Sequence, residues 1–194
     1  MFFVSNRVRL FVSILGMTLI TLTGTKGHAA TESEIQQWLD SHNEKRQLHQ
    51  VGPLTWSATV AASAQNYANT CPDGHSSSGY GENLAWASYP AAIETIVSWW
   101  YSEESKYDYA NPGWQPEAGH FTQMVWKGTT EIGCGMARCT SGDWAYVWVC
   151  QYNPPGNVIG TFAENVFPPL TEAAAAQPPL QGQSVVPHLF LLLH

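Results

Sequence analysis

Basic residues are scarce: the 194-residue chain holds 8 Lys and Arg against 15 Asp and Glu, a formal net charge of −7. Beyond residue 30 only Lys45, Arg46, Lys106, Lys127 and Arg138 remain against all 15 acidic residues, so that portion carries about −10. Affinity for phosphate needs basic surface, which excludes nucleic acid as a partner and disfavours an anionic membrane surface. No Asn-x-Ser/Thr acceptor occurs, so ordinary N-glycosylation is not expected. There is no Cys-x-x-Cys pair of the kind that holds structural zinc, no H-E-x-x-H helix and no G-x-S-x-G nucleophile elbow. The apolar run Leu10 to Thr23 falls short of the roughly 20 residues that span a bilayer.

That run has a different reading. It follows Arg7 and Arg9, contains no acidic residue, and ends in "GTKGHAA", small residues suited to cleavage near Ala29 or Ala30. Residues 1–30 therefore read as a secretory signal peptide, and the protein is expected to be secreted and extracellular, with no transmembrane segment in the mature chain. Cys71, Cys134, Cys139 and Cys150 form an even set behind that signal, which favours two disulfides and leaves three pairings open. Residues 31–168 read as one domain. Residues 169–194, rich in Pro, Ala and Gln, read as a disordered tail whose apolar finish, interrupted by Pro187 and His188, is a poor lipid-anchor signal.

Within the domain, Thr31 and Glu34 make a capping-box pattern, and Ile35, Trp38, Leu39 and His42 repeat at helical spacing, predicting a helix to about Leu48. "LTW" at 54–56 suits a short strand. Ser57 is placed to cap a second helix striped by Val60, Ala61, Ala64, Tyr67 and Ala68. Ser88, with Pro90 in the first turn, is expected to start a third, its inner face Ile93, Ile96, Val97 and Trp100. Glu103 then falls near the apolar stripe, and Glu104 is rotated toward solvent. From Glu131 the period changes to two, giving strands near 131–138 and 144–152 around the turn-forming "TSGD". Helices first and paired strands last make the class α+β.

His75 in "CPDGHSSSG", Glu82 in "GENLAW", Glu103 in "WWYSEES" and His120 in "GHFTQMVW" are the candidates for chemistry. Taken alone, His120 reads as a hydrogen-bonded core histidine, and His75 and Glu82 fall in a Gly/Ser-rich loop region. Two neutral imidazoles and two carboxylates that converge can hold a divalent ion, and zinc suits that mixture better than magnesium or calcium, which prefer oxygen. Its affinity is expected to fall as pH drops through about 6.5, the unperturbed imidazole value. The serines after His75 also invite a Ser/His/Glu triad and thus a hydrolase.

"HNEKR" (42–46), "GENLAW" (81–86), "GHFTQMVW" (119–126) and "YVWVCQYNPPGN" (146–157) resemble, in order, the four signatures of the CAP superfamily: cysteine-rich secretory proteins, antigen five and pathogenesis-related class 1 proteins. The resemblance implies an α-β-α sandwich with a central antiparallel sheet between helices, and a large cavity lined by His75, Glu82, Glu103 and His120. It implies the pairs Cys71–Cys139 and Cys134–Cys150. A third bridge of plant members has no counterpart in "NPGWQPEAGH", and no cysteine follows Cys150 in this sequence, so the channel-binding module of venom members is not expected. Fungal members with a similar aromatic loop bind sterols or other small hydrophobic compounds, which nominates Tyr101, Tyr107, Tyr109 and Trp114 as ligand contacts for a sterol or fatty acid. The expected role is therefore a non-enzymatic lipid-binding protein in defence or virulence. The alternatives are the hydrolase and a factor acting on a protein partner through a peptide from "QYNPPGNVIG". Replacing Tyr107, Tyr109 and Trp114 by Ala is expected to weaken binding and leave the fold intact.

Overall fold

A computed structural model describes residues 29–140 and 142–170; most of the signal peptide and of the tail read from the sequence lies outside them. Helix α1 (Glu32–Leu48) starts at the capping box, in which the Thr31 hydroxyl accepts from the Glu34 amide and the Glu34 carboxylate accepts from the Thr31 amide at 2.8 Å. A short strand β1 (Thr55–Trp56) follows, then α2 (Ala58–Ala68), strand β2 (Gly81–Ala87), α3 (Ile93–Tyr101), a 3₁₀ segment (Ser102–Lys106), α4 (Gly119–Met124), strands β3 (Glu131–Arg138) and β4 (Tyr146–Asn153), and a last turn, α5 (Phe162–Asn165).

The four strands form one sheet in the order β1-β3-β4-β2. Two features differ from the sequence reading. The β1–β3 pair is parallel, which makes the sheet mixed, not wholly antiparallel. "GENLAW", placed in a loop region on the strength of its Gly/Ser neighbours, is an edge strand paired with β4 along its whole length, Gly81 opposite Tyr152 to Ala87 opposite Tyr146. Helix α3 also begins later than expected, with Ala92 and not Ser88 at its N-cap.

Alternation along the strands divides the core between the two faces of the sheet. Leu84, Ala137, Val147 and Val149 meet Ala64 and Ala68 of α2 on one face. Ile132, Cys134, Trp148, Cys150 and Tyr152 face α1, α3 and α4 on the other, where Trp38, Ile96, Trp100 and Phe121 pack. The close seat of α2 depends on glycine: a Cβ on Gly133 would stand 2.0 Å from the Ala61 nitrogen, and one on Gly135 2.4 Å from the Gln65 Cα. Gln65 further replaces the missing strand beyond β1, its side chain bonding both the amide and the carbonyl of Met136. Both disulfides implied by the resemblance form. Cys134–Cys150 crosses the β3–β4 ladder and Cys71–Cys139 ties the end of α2 to the end of β3. The latter spans a sequence separation of 68, and loop-closure entropy values it at about 4 kcal/mol.

The "HNEKR" segment is structural. The Asn43 side chain bonds the amide and carbonyl of Leu54, fixing the turn into β1. Arg46, 1 % exposed, reaches across to four backbone carbonyls, those of Gly52, Met124, Trp126 and Thr129. His42 is fully buried between the Trp38 carbonyl and the Tyr152 hydroxyl. Burial lowers its pKa from 6.5 to about 4, the Trp38 bond opposing and Arg46 assisting. The unfolded chain therefore takes up a proton that the folded one refuses. No penalty applies above about pH 6.5, and one develops as pH falls toward 4, at about 1.4 kcal/mol per pH unit. Urea unfolding is expected to show about 2 to 3 kcal/mol less stability at pH 4.5 than at pH 7, with a shallower decline in His42→Asn. A flat profile over that window would contradict the assignment.

Candidate functional site

Each of the four expected metal-binding residues belongs to one of two His–Glu pairs. Glu82 sits at the start of β2 with its side chain 5 % exposed. Its Oε1 accepts from His75 Nδ1 at 3.0 Å and from the Ser76 amide at 2.8 Å; its Oε2 accepts from the Ser76 hydroxyl at 2.6 Å and from Gln151 Nε2 at 2.8 Å. Burial pushes this carboxyl up, but bonds from His75, Ser76 and Gln151 outweigh it and hold the pKa at about 2, so Glu82 is an anion at every physiological pH.

The second pair is built by a helix end. Glu103 lies in the 3₁₀ segment after α3, and its Oε2 accepts from the amides of His120 and Phe121 at 2.8 and 3.3 Å, capping α4 from a distance in sequence. Its Oε1 pairs with His120 Nδ1 at 2.6 Å. The His120 ring stacks on Trp100 at 6.3 Å. His120 is thus neither fully buried nor free: a carboxylate and an indole fix its orientation. Asn83, buried beside Glu82, links the pairs by donating to the His120 carbonyl at 3.0 Å and to the Tyr152 hydroxyl at 3.2 Å. Asn83 and Gln151 escaped the sequence reading. Amide side chains one residue from Glu82 in β2 and opposite it in β4 were the available signal.

The four side chains do not make the four-ligand set expected from the sequence. Among the described residues no group of three or more His, Cys, Asp and Glu is arranged to hold a metal. Both carboxylates are engaged in fixing histidine Nδ1, and Nε2 of each ring takes no hydrogen bond among the described residues. That is the pattern in which carboxylates orient imidazole ligands from behind, so the donors suited to a metal are two imidazole nitrogens. Nor does a triad form among the described residues. The Ser76 hydroxyl donates to Glu82 and not to an imidazole, and none of Ser76, Ser77 and Ser78 bonds His75.

The aromatic residues expected to contact ligand differ in exposure. Tyr107 is 6 % exposed and packs in the core against Tyr109 and Phe121. Tyr109 is half-buried and donates to Glu104 at 2.9 Å, which also places Glu104 inward of the solvent-facing position expected for it. Tyr101 bonds His49. These residues hold the loop to α4, so replacing Tyr107 and Tyr109 by Ala opens the core and does not spare the fold. Trp114, 49 % exposed, alone keeps a large accessible face, with its ring over Gly119.

A different surface is apolar and concave. A recess of about 240 Å³ lies between the first turn of α1, the start of α3 and the free edge of β3, lined by Trp38, Ala91, Ala92, Ile93, Met136 and Trp148, with Glu34, Gln37 and Gln65 among its polar lining residues.

Residues 39–152 match the family described as the cysteine-rich secretory protein family, CAP. This chain belongs to the CAP family. Protein PRY2 of Saccharomyces cerevisiae is 50 % identical over 135 residues, 67 % of this chain and 40 % of that protein. Secreted protein RBT4 of Candida albicans is 43 % identical over 152 residues, 69 % of this chain and 40 % of its own length. The chain thus spans less than half of either fungal relative. By contrast, human Golgi-associated plant pathogenesis-related protein 1, 40 % identical over 153 residues, is covered over 98 % of its length. Among solved structures, NaASP2 with Zn2+ aligns with a TM-score of 0.61 at 24 % identity, covering 76 % of this chain and 92 % of that one, and shares the fold. In this CAP domain "HNEKR" locks α1 to the loops, while "GENLAW" and "GHFTQMVW" each supply one half of a His–Glu pair. No helix among the described residues is long and apolar enough to cross a membrane.

Proposed function

We propose that this CAP-family chain is an extracellular, non-enzymatic binding protein for a small hydrophobic ligand, a sterol or a fatty acid, acting in defence or virulence. The observation that carries the reading is the recess between α1 and α3. Concave apolar surface is where such ligands gain free energy, about 0.8 kcal/mol per buried methylene. At about 240 Å³ it is smaller than the roughly 300 to 1,000 Å³ of sites that enclose a drug-sized ligand. It therefore takes an acyl segment or one end of a sterol and leaves the polar end at the mouth, near Glu34 and Gln37. The exposed indole of Trp114 favours a second contact surface on the aromatic loop. The donor types of His75 and His120, each with a carboxylate behind its Nδ1, favour zinc as an accessory ion, its remaining positions filled by water; the Ser76 hydroxyl donates to Glu82 and not to His75, which disfavours a serine hydrolase. Release of a signalling peptide from "QYNPPGNVIG" is disfavoured, because Gln151 to Asn153 belong to β4 and Asn157 is bonded to Thr122 and Gly119. Similarity to a secreted fungal relative supports the compartment.

Mass spectrometry of lipids extracted from protein purified out of its native secretion is the test that assumes no ligand class. A sterol or fatty acid recovered near one per chain is the expected result; protein that carries neither and binds neither when labelled forms are added removes the proposal.

A further inference from the structure

The face of the domain around the Cys71–Cys139 bridge carries a second recess that hydrophobic-ligand binding does not use. It encloses about 410 Å³ and is walled by Cys71, Asp73, Trp86, Cys139, Asp143 and Trp144. Trp86 comes from the far end of β2, four residues past Glu82 and so about 13 Å along the strand from the His–Glu pairs. Its ring is held by a hydrogen bond from Nε1 to the Pro72 carbonyl at 2.8 Å. Trp144 projects from the β3–β4 hairpin and is 52 % exposed, an unusual exposure for so large an apolar side chain. Its neighbour Ala145 is pinned on both sides, donating to the Ala87 carbonyl at 3.1 Å and accepting from the Cys139 amide at 2.8 Å. The disulfide joins the two walls covalently, one carrying Asp73 and the other Asp143 and Trp144. Both walls are therefore set before a ligand arrives.

The chemistry of the lining is one-sided. Neither the Asp73 nor the Asp143 carboxylate takes part in an ion pair or a side-chain hydrogen bond among the described residues, and no Lys, Arg or His lines the recess. Two indoles beside two unneutralised carboxylates attract positive charge, because the ring face carries the negative lobe of its quadrupole and the carboxylates add a net field. A bare metal ion is a poor match. Calcium needs six to eight oxygens at close range, whereas most of this lining is indole, disulfide and proline, and no three acidic, His or Cys side chains gather there. A diffuse, weakly hydrated cation fits: its methyl groups contact the rings while its charge faces the carboxylates.

We infer that the Trp86/Trp144/Asp73/Asp143 recess is a binding site for a quaternary ammonium group of the choline type, independent of the hydrophobic recess. Calorimetric titration of the full secreted protein with choline and with its neutral isostere 3,3-dimethyl-1-butanol tests this. Choline is expected to bind saturably and the isostere at least about tenfold more weakly, since shape is kept and charge removed. Trp144→Ala, at an exposed position, is expected to keep the parent melting temperature and weaken choline about tenfold or more, and Asp73→Asn/Asp143→Asn to do the same independently. Absence of saturable choline binding, equal affinity for the isostere, or unchanged affinity in both variants overturns the inference. Binding of labelled sterol or fatty acid is expected to be equal in Trp144→Ala and the parent, so failure here is separate from failure of the lipid proposal.

Discussion

Replacing Arg46 by alanine is expected to cost at least about 4 kcal/mol and to lower the melting temperature by about 8 to 16 °C, the largest effect of any single side chain outside the disulfides. Among the described residues Arg46 has no carboxylate partner. Its Nε donates to the Gly52 carbonyl at 2.7 Å, one terminal nitrogen donates to Met124 and Trp126, and the other to Thr129, each at 2.9 Å. These carbonyls belong to the loop after α1 and to the chain leaving α4, so a single guanidinium holds together the segments that carry "HNEKR" and "GHFTQMVW". Burial lowers its pKa to about 10, still well above neutrality, so the cation is retained at a desolvation cost that the four acceptors offset. Alanine removes the guanidinium from all four carbonyls; that of Trp126 keeps the Thr129 amide at 3.1 Å, whereas the buried bonds to Met124 and Thr129 are lost outright. Lysine, a single ammonium without the planar fork, satisfies only some of them and should recover about half of the loss. Thermal unfolding followed by circular dichroism checks this, and a loss below about 1 kcal/mol for Arg46→Ala would contradict the role.

The second large effect concerns zinc. If Nε2 of His75 and of His120 are the donors, the His75→Ala/His120→Ala variant has no zinc binding in calorimetry, whereas Glu82→Gln alone retains binding weakened by about 10- to 100-fold, as for a residue that orients a ligand from behind. Zinc affinity of the double variant equal to the parent's would sink the assignment. Peptidase or esterase turnover by the parent that vanishes in this variant would instead promote the hydrolase.

How far the sequence carries these conclusions differs from element to element. Helix α1 was legible to its ends because Thr31 and Glu34 cap it locally and Trp38 and His42 repeat at helical period. Strands β3 and β4 were legible because a two-residue period is a local property. Strand β2 was not: Gly81 and Glu82 follow a Gly/Ser-rich loop, and its pairing with β4, about 70 residues away, leaves no local trace. The parallel β1–β3 pair is invisible for the same reason. His75, Glu82, Glu103 and His120 stand out as residue types, but their division into two pairs depends on the 3₁₀ turn that swings Glu103 onto the start of α4. The aromatic loop misled because exposure cannot be read from composition. Tyr107 and Trp114 look alike in sequence, yet one is core and the other is half in solvent. The recess between α1 and α3 has no sequence signature, since its lining comes from α1, α3 and the sheet.

The most direct test of the lipid-binding account is equilibrium titration of labelled sterol and labelled fatty acid against the intact protein and against Ala92→Trp. Ala92 is an exposed recess residue at the N-cap of α3 that makes no side-chain cap bond, so a tryptophan there fills the mouth without entering the core. Saturable binding by the parent, weakened at least about tenfold in Ala92→Trp at an unchanged melting temperature, is the predicted result. Equal affinity of the two proteins, or no saturable binding of either lipid by the parent, would contradict it.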